Sequence, residues 1–153
     1  MQRLRSILGA AIPPLEARHR PSGLNTRFNG DRLAFADHVA RDRDMLTRAH
    51  SALGTVNPGK VVDGNAPFEL KPAAGSPSGH AKTYRRGVLL THGLTNSPYF
   101  MRHLAAFFQE NGFRVMAILL PGHGTQPGDL LDATWQEWAK TVAYGCDRLA
   151  EEV

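Results

Sequence analysis

Two short apolar runs most constrain what this chain can fold into. "VLLT" (88–91) and "FRVMAILL" (113–120) each stop at a loop where His stands beside Gly, and each is followed by helix-start signals. Continuous apolar and β-branched runs of about four to eight residues are the pattern of strands covered on both faces. After the first run, Ser97-Pro98 offers a hydroxyl to cap free amides and then a proline at the first helical position. Met101, Leu104, Ala105 and Phe108 form the apolar stripe of that helix, and Gly112 falls where a left-handed terminating residue is wanted. After the second run, Thr134-Trp135-Gln136-Glu137 has the spacing of a capping box. The helix it opens has Trp138, Val142 and Leu149 on one side, and Trp135 and Trp138 read as its core anchors. From Gly87 onward the order is strand, loop, helix, strand, loop, helix. That is a βαβα unit and predicts an α/β fold with a mostly parallel sheet flanked by helices.

The segment before Gly87 is less regular. Residues 1–28 carry Pro, Arg and Ser without periodicity and read as an arm. From Asp31 to Leu53 the pattern is helical, with Phe35, Val39, Leu46, Ala49 and Leu53 on a stripe and Gly54 placed to end it. Asp37 and Arg41, like Asp44 and Arg48, are four apart in the favourable order for an exposed helix face. Val61-Val62-Asp63-Gly64-Asn65 followed by "PFELKP" predicts two short strands around an Asp-Gly turn. A loop rich in Pro, Gly and Ser follows at 72–83. The expected organisation is an N-terminal arm and accessory helix over 1–55, then an α/β part over 56–153.

Composition sets outer limits. A length of 153 residues, 42% apolar and 21% charged, is that of one globular domain. The net charge of +4 is uneven, because residues 1–86 hold 14 Lys+Arg against 7 Asp+Glu and the rest hold 4 against 7. The basic residues are scattered among acids and prolines, without aromatic interleaving, so a solvated extension is expected and no nucleic-acid partner. Cys146 is the only cysteine, which removes disulfides and thiolate metal sites. No apolar run has the length of a transmembrane segment. The basic start and the apolar stretch Ile7–Ile12, broken by Pro13-Pro14, make a poor targeting signal. A cytoplasmic location is expected.

Ligands of open parallel sheets bind at the carboxyl ends of the strands. Here those ends are the loops 92–96 and 121–127. His92 and His123 lack a third partner at metal-ligand spacing, and as a general base His92 would need a nucleophile within hydrogen-bond reach. Both are expected to brace their loops. Tyr99 and Phe100 read first as core and second as the lining of an acyl pocket.

The stretch "GVLLTHGLTNSPYFMRHLAAFFQENGFRVMAILLPGHGTQP" resembles the start of the α/β-hydrolase fold, in the branch of carboxylesterases and monoacylglycerol lipases. The matching features are a strand ending in His-Gly, a helix closed by "NGF", a second strand and then "PGHG". The resemblance covers roughly residues 84–152. It implies acyl transfer to a Ser nucleophile with a His base and an acidic orienter, a small-molecule ester as substrate, and no cofactor or metal. One oxyanion-hole donor in this family comes from the loop after the first strand. By position that donor is the backbone amide of Leu94, with His92 and Gly93 supporting it and Thr95 and Tyr99 as substrate contacts. A donor of this kind stabilises the transition state by about 2.7–4 kcal/mol. Gly93 lets the backbone turn sharply and lets an acyl group come close.

The nucleophile of the family lies in G-x-S-x-G. The nearest string, Gly75-Ser76-Pro77-Ser78-Gly79, has proline at its centre and precedes the His-Gly strand, so it reads as a loop. Glu151-Glu152-Val153 stands about where the nucleophile strand is expected to begin. The reading is an N-terminal portion of a serine hydrolase, inactive alone, whose first parallel strand is an aggregation-prone edge. The alternative from another class is a degenerate, non-catalytic half-domain that binds a partner. A nucleotide-binding βαβ unit is disfavoured because G-x-G-x-x-G is absent.

Overall fold

The computed structural model describes residues 14–73, 84 and 86–153. The apolar stretch Ile7–Ile12 and the serine-glycine segment Gly75–Gly79 lie outside the described residues. Seven regular elements follow in order: α1 (Phe35–Ala52), α2 (Pro58–Asn65), β1 (Phe68–Leu70), β2 (Gly87–Thr91), α3 (Arg102–Glu110), β3 (Arg114–Ile118) and α4 (Trp135–Ala150).

The strands form one sheet in the order β1-β3-β2. β2 and β3 are parallel, with Val88 opposite Val115 and Leu90 opposite Ala117. This is the predicted crossover, with α3 as its connection. β1 runs antiparallel to β3, Phe68 facing Ala117, so the small sheet is mixed rather than mostly parallel. β3 is buried along its whole length, as its unbroken apolar run requires. β2 has one neighbour among the described residues and is mostly half-buried rather than covered on both faces.

The two faces of the sheet hold separate cores because side chains alternate along a strand. Met116 and Ile118 pack with Phe35 of α1 and with Tyr144 and Leu149 of α4. Val115 and Ala117 point the other way, to Leu90 and to Ala105 of α3. A third cluster joins Met45 and Leu46 of α1 to Val62 and Leu119. Each fully buried aliphatic or aromatic side chain contributes about 1.5–3 kcal/mol of transfer free energy, so α1 and α4 are fixed mainly by these stripes.

Several local expectations need correction. Val61–Asn65 is not a strand but the end of helix α2, which starts at Pro58 after Asn57 in the left-handed region. Proline at the first helical position favours that start. Burying Val62 against α1 then outweighs the β preference of paired valines. Helix α1 begins at Phe35 rather than Asp31. Its Arg48–Asp44 pair is formed at 3.0 Å, whereas Arg41 turns to Asp42 and Asn29 instead of Asp37. The Ser97 hydroxyl makes no cap bond, and Pro98–Met101 is a 3-10 turn leading into α3. The Thr134 hydroxyl accepts from the Glu137 amide at 3.4 Å, but the Glu137 carboxylate is taken by the Phe28 amide and Lys140 instead of closing the box. Trp138 packs at the core, while Trp135 is 69% exposed and anchors nothing. Tyr99 and Phe100 are likewise exposed rather than core.

Residues 20–29 lie against the body. The Arg20 carbonyl accepts from Gln126 Nε2 at 2.6 Å, and a side chain at Gly128 would run into the Arg20 backbone. Ser22 and Gly23 donate to Asp129, and the Phe28 amide donates to Glu137 at 2.8 Å. One further buried ion network locks the sheet's far end. Arg114, almost wholly buried on β3, pairs with Glu69 of β1 and, at 2.6 Å, with Glu152 beyond α4.

Candidate functional site

The loops at the carboxyl ends of β2 and β3 lie side by side and are joined through their histidines. His92, 4% exposed, sits directly after β2. Its Nε2 accepts the Leu120 amide at 3.1 Å, so its proton is on Nδ1, which donates to the Gly93 carbonyl at 3.0 Å. Burial pulls its pKa down to about 4, against the opposing pull of the Gly93 bond. A neutral ring is what this pair of partners needs, since an imidazolium could not accept from Leu120.

His123, in the second loop, is also buried and its ring lies edge-on to His92 with centroids 4.7 Å apart. Its Nε2 is 2.7 Å from the Leu94 carbonyl and its Nδ1 is 3.0 Å from the Pro121 carbonyl. The Pro121 carbonyl already receives the Trp138 indole N–H at 2.8 Å. The Nε2 contact is the shorter of the two, and through it a ring N–H donates to the Leu94 carbonyl. Both histidines thus brace the loops by bonding to backbone, as expected of them.

The consequence concerns the next two amides. Gly93 to Asn96 is a turn closed by the Asn96 amide donating to the Gly93 carbonyl at 3.1 Å. Leu94 and Thr95 are its central residues, and among the described residues their own N–H groups make no hydrogen bond. A peptide unit is planar and trans, so its N–H points opposite to its carbonyl. His92 and Asn96 hold the carbonyl of the peptide that carries the Leu94 N–H. His123 holds the carbonyl of the peptide that carries the Thr95 N–H. Both free donors are thereby aimed away from the histidine side.

An open cleft of about 500 Å³ runs beside this turn. Leu94, Thr95, Phe100, His50, His123 and Leu130 are among its walls. Of the sequence-predicted residues, Leu94 and Thr95 line it, and His92 and Gly93 support it from behind or beside. Tyr99 is not part of the wall; its ring lies beside Gly64 of α2, edge-on to Phe100. Gly93 does not have the left-handed backbone that a sharp turn would demand, and a Cβ there would meet only Asn96 Nδ2 at 3.7 Å. Gly122 and Gly124 do have it, at φ 85° and 80°. Sequence reasoning missed His50, whose Nε2 donates to the Gly124 carbonyl at 2.8 Å, and Asn25, which reaches the second loop from the arm. Neither carries a spacing signal. Among the described residues, no group of three or more His, Cys, Asp or Glu side chains could hold a metal ion, and no helix is long and apolar enough to cross a membrane.

No family model matches the chain. Over 59 residues, 39% of this chain and 24% of the relative, it is 41% identical to a thermostable monoacylglycerol lipase of Bacillus sp. (strain H-257). Over 67 residues, 44% of this chain and 27% of the relative, it is 33% identical to a carboxylesterase of Bacillus subtilis (strain 168). The chain spans about a quarter of the length of these curated relatives. Among solved structures it is similar to a chain described with LipS and LipT, two metagenome-derived lipolytic enzymes, at a TM-score of 0.48 and 31% identity, over 58% of this chain and 32% of that one. The sequence matches to the two Bacillus enzymes, over the stretch that carries the paired His-Gly loops, support an α/β-hydrolase family for this part of the chain.

Proposed function

We propose that this chain supplies the oxyanion-binding wall of a carboxylic ester hydrolase, with the Leu94 amide as one donor to the tetrahedral intermediate. The observation that carries the reading is the pinning of the two carbonyls by His92 and His123, which leaves the amides of Leu94 and Thr95, two residues lining the cleft, without a hydrogen bond among the described residues. Donors held in place before charge develops stabilise it without reorganisation. Phe100 and Leu130 give the cleft apolar surface for an acyl chain. The nucleophile and its base are not among these 153 residues in any G-x-S-x-G arrangement, so the chain alone is inactive and needs them from elsewhere.

Two measurements test this. Purified chain should neither hydrolyse p-nitrophenyl butyrate with saturable kinetics nor be labelled by a serine-directed fluorophosphonate. In a chimera, the 59 matched residues replace their counterparts in the Bacillus sp. lipase, whose remaining sequence supplies the rest of the enzyme. Leu94→Pro, which deletes the proposed donor, should then cut kcat by about 10²- to 10³-fold. A folded, fully active Leu94→Pro chimera would end the proposal.

The second reading, a non-catalytic module that binds a partner, is favoured by the side of β2 that has no neighbour among the described residues and by the exposed Phe100, Leu104 and Phe107. Strand edges of this kind accept further strands. A stoichiometric complex formed with the cleft loops mutated, alongside failure of the chimera, would select this reading.

A further inference from the structure

We propose that Asn25, on the N-terminal arm, is a positioning residue for the oxyanion turn; this rests on the reading of Leu94 given above. Its side-chain amide donates to the His123 carbonyl at 2.7 Å and to the Leu120 carbonyl at 3.3 Å. Its own carbonyl accepts the Gly122 amide at 2.5 Å. One buried residue therefore holds three points of the Leu120–His123 turn. That turn carries the His123 ring, and the ring holds the Leu94 carbonyl. The relay runs from Asn25 to the His123 backbone, through the His123 imidazole, to the peptide that directs the Thr95 N–H and limits the rotation of the Leu94 residue.

The chemistry explains the choice of residue. Leu120 and His123 present two carbonyls to one place, and of these the Leu120 oxygen also accepts the His123 amide at 3.2 Å. A primary amide supplies two donors from one nitrogen. An aspartate of the same shape would supply none and would set a negative charge against two carbonyl oxygens. The arm is in turn held by Asp129, which accepts from Ser22 and Gly23, so Asn25 has little freedom to leave.

The test uses the 153-residue chain labelled with ¹⁵N and butylphosphonate as a tetrahedral anion. Amide shifts of Leu94 and Thr95 report binding, and the His123 ring N–H reports the relay through its exchange with solvent. In the unmodified chain both amides should shift with added phosphonate. Asn25→Ala should weaken that binding roughly fivefold, the worth of about one hydrogen bond, and speed His123 ring N–H exchange. In a His123→Ala background, Asn25→Ala should add nothing further, since the relay is already cut. If the alanine variant does not fold, Asn25→Leu, which keeps the side-chain volume and removes the donors without adding charge, replaces it in the same cycle.

The outcomes separate two failures. No phosphonate response in the unmodified chain, with faster ring exchange in the Asn25 variant, sinks the oxyanion reading but keeps the relay. Unaltered phosphonate binding and ring exchange in the Asn25 variant, or additive losses in the double variant, overturn the positioning role.

Discussion

His123 Nε2 lies 2.7 Å from the carbonyl oxygen of Leu94, a residue 29 positions earlier in the chain. That bond ties the loop after β3 to the loop after β2. It makes the conformation of Leu94 depend on a histidine of the cleft wall that holds its carbonyl rather than its amide. Asn and Ala at position 123 should therefore have different effects from each other.

His123→Ala removes the tie and leaves the part-buried Leu94 carbonyl without that donor, a loss of about 0.5–1.5 kcal/mol. His123→Asn keeps a donor on a shorter stem and should recover part of it. Urea midpoints of the two variants check this. Equal midpoints for alanine and wild type would mean that the bond contributes nothing.

Acid should weaken the fold between the ordinary histidine pKa of 6.5 and about 4. His38 and His92 are both held neutral down to about 4, chiefly by burial. Below 6.5 the unfolded chain takes up protons that these folded rings refuse, so stability falls as pH drops through this window. Asp42 acts in the opposite sense, since burial raises its pKa despite Arg41 beside it, and its protonated form favours the fold. Unfolding midpoints measured between pH 7 and 4.5 should decline with uptake of up to about two protons. A flat profile would show that neither ring is buried in solution.

Gly93→Ala and Gly122→Ala should part company. At 93 the backbone is ordinary and there is room for a methyl group, so the fold should stay within about 1 kcal/mol of its stability. At 122 the left-handed backbone and contacts of 2.8 Å to Ala133 and 2.9 Å to Leu130 make alanine cost about 1–3 kcal/mol. Thermal melts distinguish them. In the lipase chimera, Gly93→Ala should lower kcat while leaving the melt unchanged, because the glycine serves approach to the turn rather than the turn itself.

Arg114→Ala should be among the most damaging single changes. It strips the counter-charge from Glu69 and Glu152, both about one-third exposed, and empties a buried volume at the sheet's end. Breaking a buried pair by removing one partner costs about 3–5 kcal/mol, and the exposure of these carboxylates places the loss toward the lower figure. Arg114→Met, which fills the space, should recover part of it. Denaturant titration of the two variants provides the comparison.

What was legible in the sequence is what depends on short-range pattern. The apolar runs, the helix between them and the glycine at 112, with φ 81°, follow from periodicity and capping chemistry. The placing of the loops 92–96 and 121–127 at the carboxyl ends of β2 and β3 follows from motif order. Helix α2 was not legible, because Val-Val-Asp-Gly reads as a strand and turn until Val62 finds α1. Trp135 misled for a related reason: its neighbour three residues on already fills the place under Pro121. Asn25, His50 and Asp129 bond to groups about 75 to 107 positions away, and no local spacing announces such a partner.

Asp129 gives the N-terminal arm a boundary that a protease would reveal. Its carboxylate is wholly buried and accepts from Ser22, Gly23 and Thr125. Trimming the chain as far as Pro21 leaves those bonds in place. Trimming four residues further strands a buried negative charge and unseats the turn that holds His123. Limited digestion should therefore pass from harmless to destructive within a single turn of chain.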